Sequence, residues 1–192
     1  MNTGSSEKRR LFCAIALDGP TRLALARAQN DLRSGRPSAQ ENLHLTLAFL
    51  GSCTNAQEQA ARSALDAACL LSRSFDLTIS GIGRFDKKKG SIIWAGVSEG
   101  QGKDELLSFQ KRLVAELLAR GFELSGEYTP HITLARGAKL SRTALDEDCS
   151  RAARDIGERI VSVREAHLMW SHHPNGGALT YTSIYCAPFG GA

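Results

Sequence analysis

Two short stretches of the chain carry the same chemistry-bearing pattern. His44-Leu-Thr46-Leu lies within ENLHLTLAFLG, and His131-Ile-Thr133-Leu lies within YTPHITLAR, 87 positions further on (from 44 to 131). Histidine ordinarily titrates near pH 6.5, so of two imidazoles near neutrality one can be neutral while the other is protonated. The neutral ring can take a proton from an attacking water and the protonated ring can give one to a leaving oxygen, each role contributing roughly 10²–10⁴-fold. A threonine hydroxyl beside each ring can donate to phosphoryl oxygens and hold the group in line. This set suits phosphodiester chemistry and calls for no metal. One His-x-Thr alone is ordinary strand structure. Two copies with the same apolar flanks make a shared active site the better reading.

The elements around the motifs must bring the rings together. In a strand alternate side chains share a face, so His44 and Thr46 point the same way, about 7 Å apart, while Leu43, Leu45, Leu47 and Phe49 point into a core. His131 and Thr133 oppose Ile132 and Leu134 in the same manner. The pattern predicts strands over 11–17, 43–50, 75–85, 91–97, 131–136, 159–170 and 178–187. It predicts helices over 21–33, from 54 to about 71, over 103–120 and over 141–155. Thr54 and Gln57 form a T-x-x-Q capping box, and Leu106, Phe109, Leu113 and Leu117 mark the buried stripe of the third helix. SGRPSAQEN (34–42) reads as a loop and DKKKG (86–90) as a charged hairpin tip. A unit of His-x-Thr strand, helix and two more strands occurs twice. The fold expected is α+β and bilobal: two pseudo-symmetric antiparallel sheets, helices on their outer faces and a central cleft holding both histidines. Residues 1–10 read as a flexible tail and 11–190 as one bilobal domain.

Composition is compatible with this. The chain has 192 residues, 42% hydrophobic and 23% charged, enough for a sizeable core. Its formal charge of +4 suits a phosphate-bearing partner. The five cysteines (Cys13, Cys53, Cys69, Cys149, Cys186) are odd in number, scattered and without C-x-x-C spacing, which predicts reduced thiols, no zinc site and a cytoplasmic protein. No apolar run reaches the roughly 18–20 residues of a membrane span, and the absence of heptads leaves monomer as the default. His167, His172 and His173 read as structural and loop histidines rather than metal ligands. Lys87, Lys88 and Lys89 read as a solvated tip that, beside Arg84 and Phe85, could also touch an RNA backbone.

The two motifs resemble the paired H-x-T-x signatures of the 2H phosphoesterase superfamily. More narrowly, the chain resembles the RNA 2′,3′-cyclic phosphodiesterases, also called 2′-5′ RNA ligase-like proteins, over nearly its whole length. RLFCAIAL resembles their opening strand, ENLHLTLAFLG and YTPHITLAR their two signatures, and GRFDKKKGSIIWAGV their middle hairpin. The resemblance implies a bilobal fold with the active site between the lobes and no cofactor. It implies His44 as proton donor to the leaving oxygen, His131 as proton acceptor for water, and Thr46, Thr133 and Arg136 as phosphate ligands. Strict alternation would put Arg136 on the face opposite His131, so a bulge near residues 135–136 is required. The expected activity is metal-independent opening of RNA 2′,3′-cyclic phosphate ends to 2′-phosphate. The alternatives are 2′-5′ RNA ligation, hydrolysis of a small cyclic-phosphate nucleotide, or non-catalytic binding of RNA ends.

Overall fold

The computed structural model describes residues 8–124 and 126–191. In chain order it contains β1 (Arg9–Ala16), α1 (Gly19–Ala28), β2 (Arg36–Pro37), β3 (His44–Cys53), α2 (Asn55–Leu70), β4 (Phe75–Phe85) and β5 (Ser91–Val97). There follow α3 (Gln101–Ala119), β6 (His131–Ala138), α4 (Arg142–Ile156), β7 (Arg159–Val163), β8 (Glu165–His172) and β9 (Thr180–Pro188). The strands form two antiparallel sheets, ordered β3-β1-β8-β9 and β2-β6-β5-β4-β7. The architecture is α+β and bilobal, as the sequence pattern predicts.

Local signals explain the helices. The Asp18 carboxylate accepts from the Thr21 N–H at 2.6 Å and Pro20 occupies the first turn of α1. The Thr54–Gln57 box closes in both directions at the start of α2. Leu106, Phe109, Leu113 and Leu117 of α3 are all buried, each side chain contributing about 1.5–3 kcal/mol by leaving water. One core cluster joins the sheets, drawing Leu11, Leu45 and Leu47 from the first and Leu77, Ile79, Ile132 and Leu134 from the second.

The sequence repeat does not fold as two consecutive halves. The hairpin β4–β5 that follows β3 and α2 enters the sheet of β6, and the hairpin β8–β9 that follows β6 and α4 enters the sheet of β3. The single strand expected over 159–170 is two strands in different sheets. Val161 and Val163 are buried in one sheet and Ala166 and Leu168 in the other, so the inward parity switches at Arg164-Glu165 where the chain crosses over. Within 34–42 the structure adds the two-residue strand β2, paired to Arg136 and Ala135. β1 begins at Arg9, so Arg9 and Arg10 belong to the sheet and not to the expected tail; residues 1–7 of that tail lie outside the described residues.

Phe49 corrects the sequence expectation most sharply. Its side chain is 63% exposed instead of buried. The pairing of β1 with β3 slips between Cys13 and Ala14, leaving Leu47 as an extra residue. Leu47 and Ala48 therefore both face inward, and Phe49 turns to the side of His44 and Thr46.

Candidate active site

The same irregularity recurs in β6. Its pairing with β5 slips between Ile93 and Trp94, making Leu134 the extra residue; Leu134 and Ala135 are both buried, and Arg136 emerges on the face of Thr133. The bulge required for Arg136 is present, one residue earlier than the sequence suggested. Arg136 Nη2 approaches Thr133 Oγ1 at 3.4 Å. At each bulge a glutamine amide reaches the carbonyl of the extra leucine. Gln110 of α3 donates to the Leu47 carbonyl at 3.3 Å, and Gln29, just past α1, donates to the Leu134 carbonyl at 2.8 Å. The Leu134 carbonyl also accepts from the Ser38 N–H at 2.7 Å.

Both histidines are oriented by one device. Nδ1 of His44 lies 2.7 Å from the Asn42 carbonyl, and Nδ1 of His131 lies 2.8 Å from the Thr129 carbonyl, in each case two residues back along the chain. A carbonyl only accepts, so Nδ1 carries the hydrogen and Nε2 is left to exchange protons in the cleft. Nε2 of His44 lies 2.9 Å from Thr46 Oγ1. The motif strands β3 and β6 pack against each other.

The walls around the rings differ. The His44 ring lies 4.8 Å from Phe12 and 5.1 Å, edge-on, from Tyr181, centroid to centroid. Burial lowers the His44 pKa from its ordinary 6.5 to about 4; the hydrogen bond to Asn42 opposes the shift, and the charges of Arg136 and His131 add to it. Around His131, Phe85 presents an edge at 5.0 Å and Trp94 lies at 6.3 Å. Trp94 covers Gly83 so closely that a Cβ there would fall 2.4 Å from the indole, so only glycine lets the ring lie flat beside the cleft.

Asn42, read from sequence only as part of a loop, holds this corner together. Its buried amide donates to the Leu179 carbonyl at 2.7 Å, its Oδ1 accepts from the Tyr181 N–H at 3.0 Å, and its own carbonyl orients His44. Phe12, Tyr181 and Trp94 were likewise unmarked. The one sequence signal for the bulges is the doubled inward step Leu47-Ala48 and Leu134-Ala135, where apolar alternation breaks at the same point of both motifs. The remaining histidines lie elsewhere. His172 stacks on Trp170 at 3.9 Å and bonds Thr182, and His173 bonds the Gly177 carbonyl. His167 meets Glu165 and Cys186 rather than His172 and His173. Partial burial and the neighbouring Glu165 carboxylate push the Cys186 thiol up to about 12, so at neutral pH the thiol keeps its proton.

The family model described as the 2'-5' RNA ligase superfamily matches residues 19–175. This chain belongs to that superfamily. An RNA 2′,3′-cyclic phosphodiesterase of Escherichia coli is 34% identical over 69% of this chain and 74% of its own length. One of Geobacillus stearothermophilus is 30% identical over 68% of this chain, and the matched stretch spans only 42% of that protein. The crystal structure of E. coli LigT complexed with 3′-AMP superposes with a TM-score of 0.77 at 27% identity, covering 95% of this chain and 99% of that one. Among the described residues, no helix of this superfamily member is long and apolar enough to cross a membrane.

Proposed function

We propose that the chain hydrolyses RNA 2′,3′-cyclic phosphate ends to 2′-phosphates by acid–base catalysis between His44 and His131, without a metal ion. The observation that carries this is the paired tautomer lock: each Nδ1 is tied to a carbonyl two residues back, so both Nε2 atoms serve one cleft beside Thr46, Thr133 and Arg136. The names of the relatives, and the 3′-AMP bound by LigT, support a nucleotide phosphate as the occupant. In the free protein Thr46 donates to Nε2 of His44; with a phosphate present its hydroxyl turns to a phosphoryl oxygen and frees that nitrogen. Arg136 and Thr133 hold the other oxygens. Water attacks phosphorus opposite O3′, one histidine accepts the water proton, the P–O3′ bond breaks, and the other histidine protonates O3′. A 2′-phosphate and a 3′-hydroxyl result. We read residues 11–190 as one monomeric, cytoplasmic domain.

The family resemblance makes His44 the donor. The lowering of its pKa to about 4 favours the reverse assignment, because His44 is neutral in the free protein at pH 7. A bound phosphate offsets the charge of Arg136 and draws a proton onto His44, which reconciles the donor role with the free-state geometry. A cyclic substrate with sulfur in place of O3′ separates the two assignments, since a thiolate leaves without protonation. Activity should return to the alanine variant of whichever histidine is the donor and not to the other.

The primary test incubates RNA ending in 2′,3′-cyclic phosphate with wild type, His44→Ala and His131→Ala in excess EDTA and reads the position of the product phosphate. A 2′-phosphate from wild type alone is expected. Activity that vanishes with EDTA would overturn metal independence, and no turnover under any condition would shift the reading to RNA-end binding. Ligated product with a 2′-5′ linkage, or turnover of mononucleotides only, would select the alternatives.

A further inference from the structure

The reacting phosphate is one end of a longer molecule, and a second basic feature lies near the site. A cavity of about 380 Å³ opens between the β4–β5 hairpin and the connection from β6 to α4. Five cationic side chains line it, Arg84, Lys87, Lys88, Lys139 and Arg142, against the single carboxylate of Asp86. That carboxylate is already engaged: it accepts from Arg84 Nε at 3.0 Å and from Ser91 Oγ at 2.8 Å, and Arg84 also pairs with Asp146. Among the described residues, Lys87, Lys88, Lys139 and Arg142 have no ion-pair partner.

Two features tie this cradle to the cleft. Phe85, which touches His131, is followed directly by the residues of the cradle wall, Asp86 to Lys88. β6 runs from His131 to Ala138, roughly 23 Å along the strand, and Ala138 lines the cradle. The two walls are fixed to each other. Gly90, in the left-handed region at φ +110°, passes so close to Gly137 that a Cβ at 90 would meet its backbone at 2.7 Å. The backbone that carries the charges is thus a concave surface assembled from two segments distant in sequence and pinned together at Gly90 and Gly137, which a solvated hairpin tip by itself does not require.

We propose that this cradle binds backbone phosphates of single-stranded RNA a few nucleotides upstream of the cyclic end, making oligonucleotides rather than mononucleotides the preferred substrate. The inference rests on the proposed cyclic-phosphate hydrolysis for its catalytic readout, and a binding readout stands apart from it. Each backbone phosphate neutralised releases counterions, so affinity falls with salt.

The test is the triple variant Lys87→Glu/Lys88→Glu/Lys139→Glu, whose exposed lysines make no ion pair in the fold. Its kcat/KM is compared with wild type on a mononucleoside 2′,3′-cyclic phosphate and on a short oligoribonucleotide with the same end. The oligonucleotide value should fall by about tenfold or more at low salt, its log–log salt slope should flatten by about two for three lost single-strand contacts, and the mononucleotide value should stay within about twofold. Equal losses on both substrates, or no loss on either, would overturn the cradle. If neither substrate turns over with wild type, the hydrolysis reading fails on its own. Fluorescence anisotropy of a labelled RNA ending in 2′-phosphate then decides the cradle: weaker binding by the triple variant sustains it, and unchanged binding rejects it.

Discussion

β3 and β6 are built on one plan and end in different chemistry. Each carries His-x-Thr, each ties Nδ1 to the carbonyl two residues back, each gains one residue at the following leucine, and each has that leucine's carbonyl met by a glutamine from a helical segment. The position exposed by the bulge, five residues after the histidine, is Phe49 in one strand and Arg136 in the other. In β3 the ring is enclosed by Phe12 and Tyr181 and its Nε2 is met by Thr46. In β6 the aromatic neighbours are Phe85 and Trp94, and among the described residues Nε2 has no hydrogen-bond partner. The backbone device was duplicated and the surroundings were not. Two imidazoles on like backbone settings meet unlike walls, and burial lowers the proton affinity of His44.

The largest expected effect is on the pair itself. His44→Ala and His131→Ala should each lower kcat by about 10²–10⁴-fold, and the double variant should lose far less than the product of the two, because the rings act as a unit. Steady-state kinetics on a cyclic-phosphate RNA checks this; strictly multiplicative losses would mean the two strands act independently.

The next effect concerns stability. His44 binds its proton less well folded than unfolded, so below pH 6.5 the unfolded chain takes up a proton that the folded chain refuses. Its contribution is complete above pH 6.5 and is lost as the pH falls toward 4, by up to about 3 kcal/mol. Urea unfolding across pH 4–7 should show this slope in wild type and a shallower one in His44→Gln. Identical slopes would mean the ring is not desolvated.

Arg136→Phe makes β6 resemble β3. Loss of charge-assisted bonds to phosphate should cut kcat/KM by about ten- to a hundredfold. It should also raise the His44 pKa from about 4, because a positive charge leaves its vicinity. NMR titration of the His44 ring reads the second effect, and a pKa that stays put would show that Arg136 does not reach His44. The smallest effects test the bulges: Gln110→Leu and Gln29→Leu should each cost about 1 kcal/mol of stability by orphaning a carbonyl. Gln29→Leu leaves the Leu134 carbonyl its bond from the Ser38 N–H but strips the Ser38 carbonyl of its Gln29 donor, so its loss should match that of Gln110→Leu.

Much of this was legible in the chain. The His-x-Thr pairs, the Thr54–Gln57 cap and the stripe of α3 are local patterns, and local patterns survive into the fold because backbone periodicity dictates which side chains share a face. Phe49 and Arg136 were harder. A period of two predicts the wrong face for both, and only the paired Leu-Ala steps hint at the slip. Asn42 was invisible, since its partners Leu179 and Tyr181 lie far along the chain. The crossover at Arg164-Glu165 passed for continuous strand because both flanks are apolar-alternating.

Read without coordinates, the chain already specified two matching strands, their helical supports and the residue types of the site. It did so because those features depend on neighbours in sequence. Tertiary structure decided which hairpin joins which sheet, which ring is enclosed and which is open, and where the basic hairpin meets the end of β6. Those outcomes depend on packing between segments distant in sequence, and one buried wall is enough to make two like motifs differ.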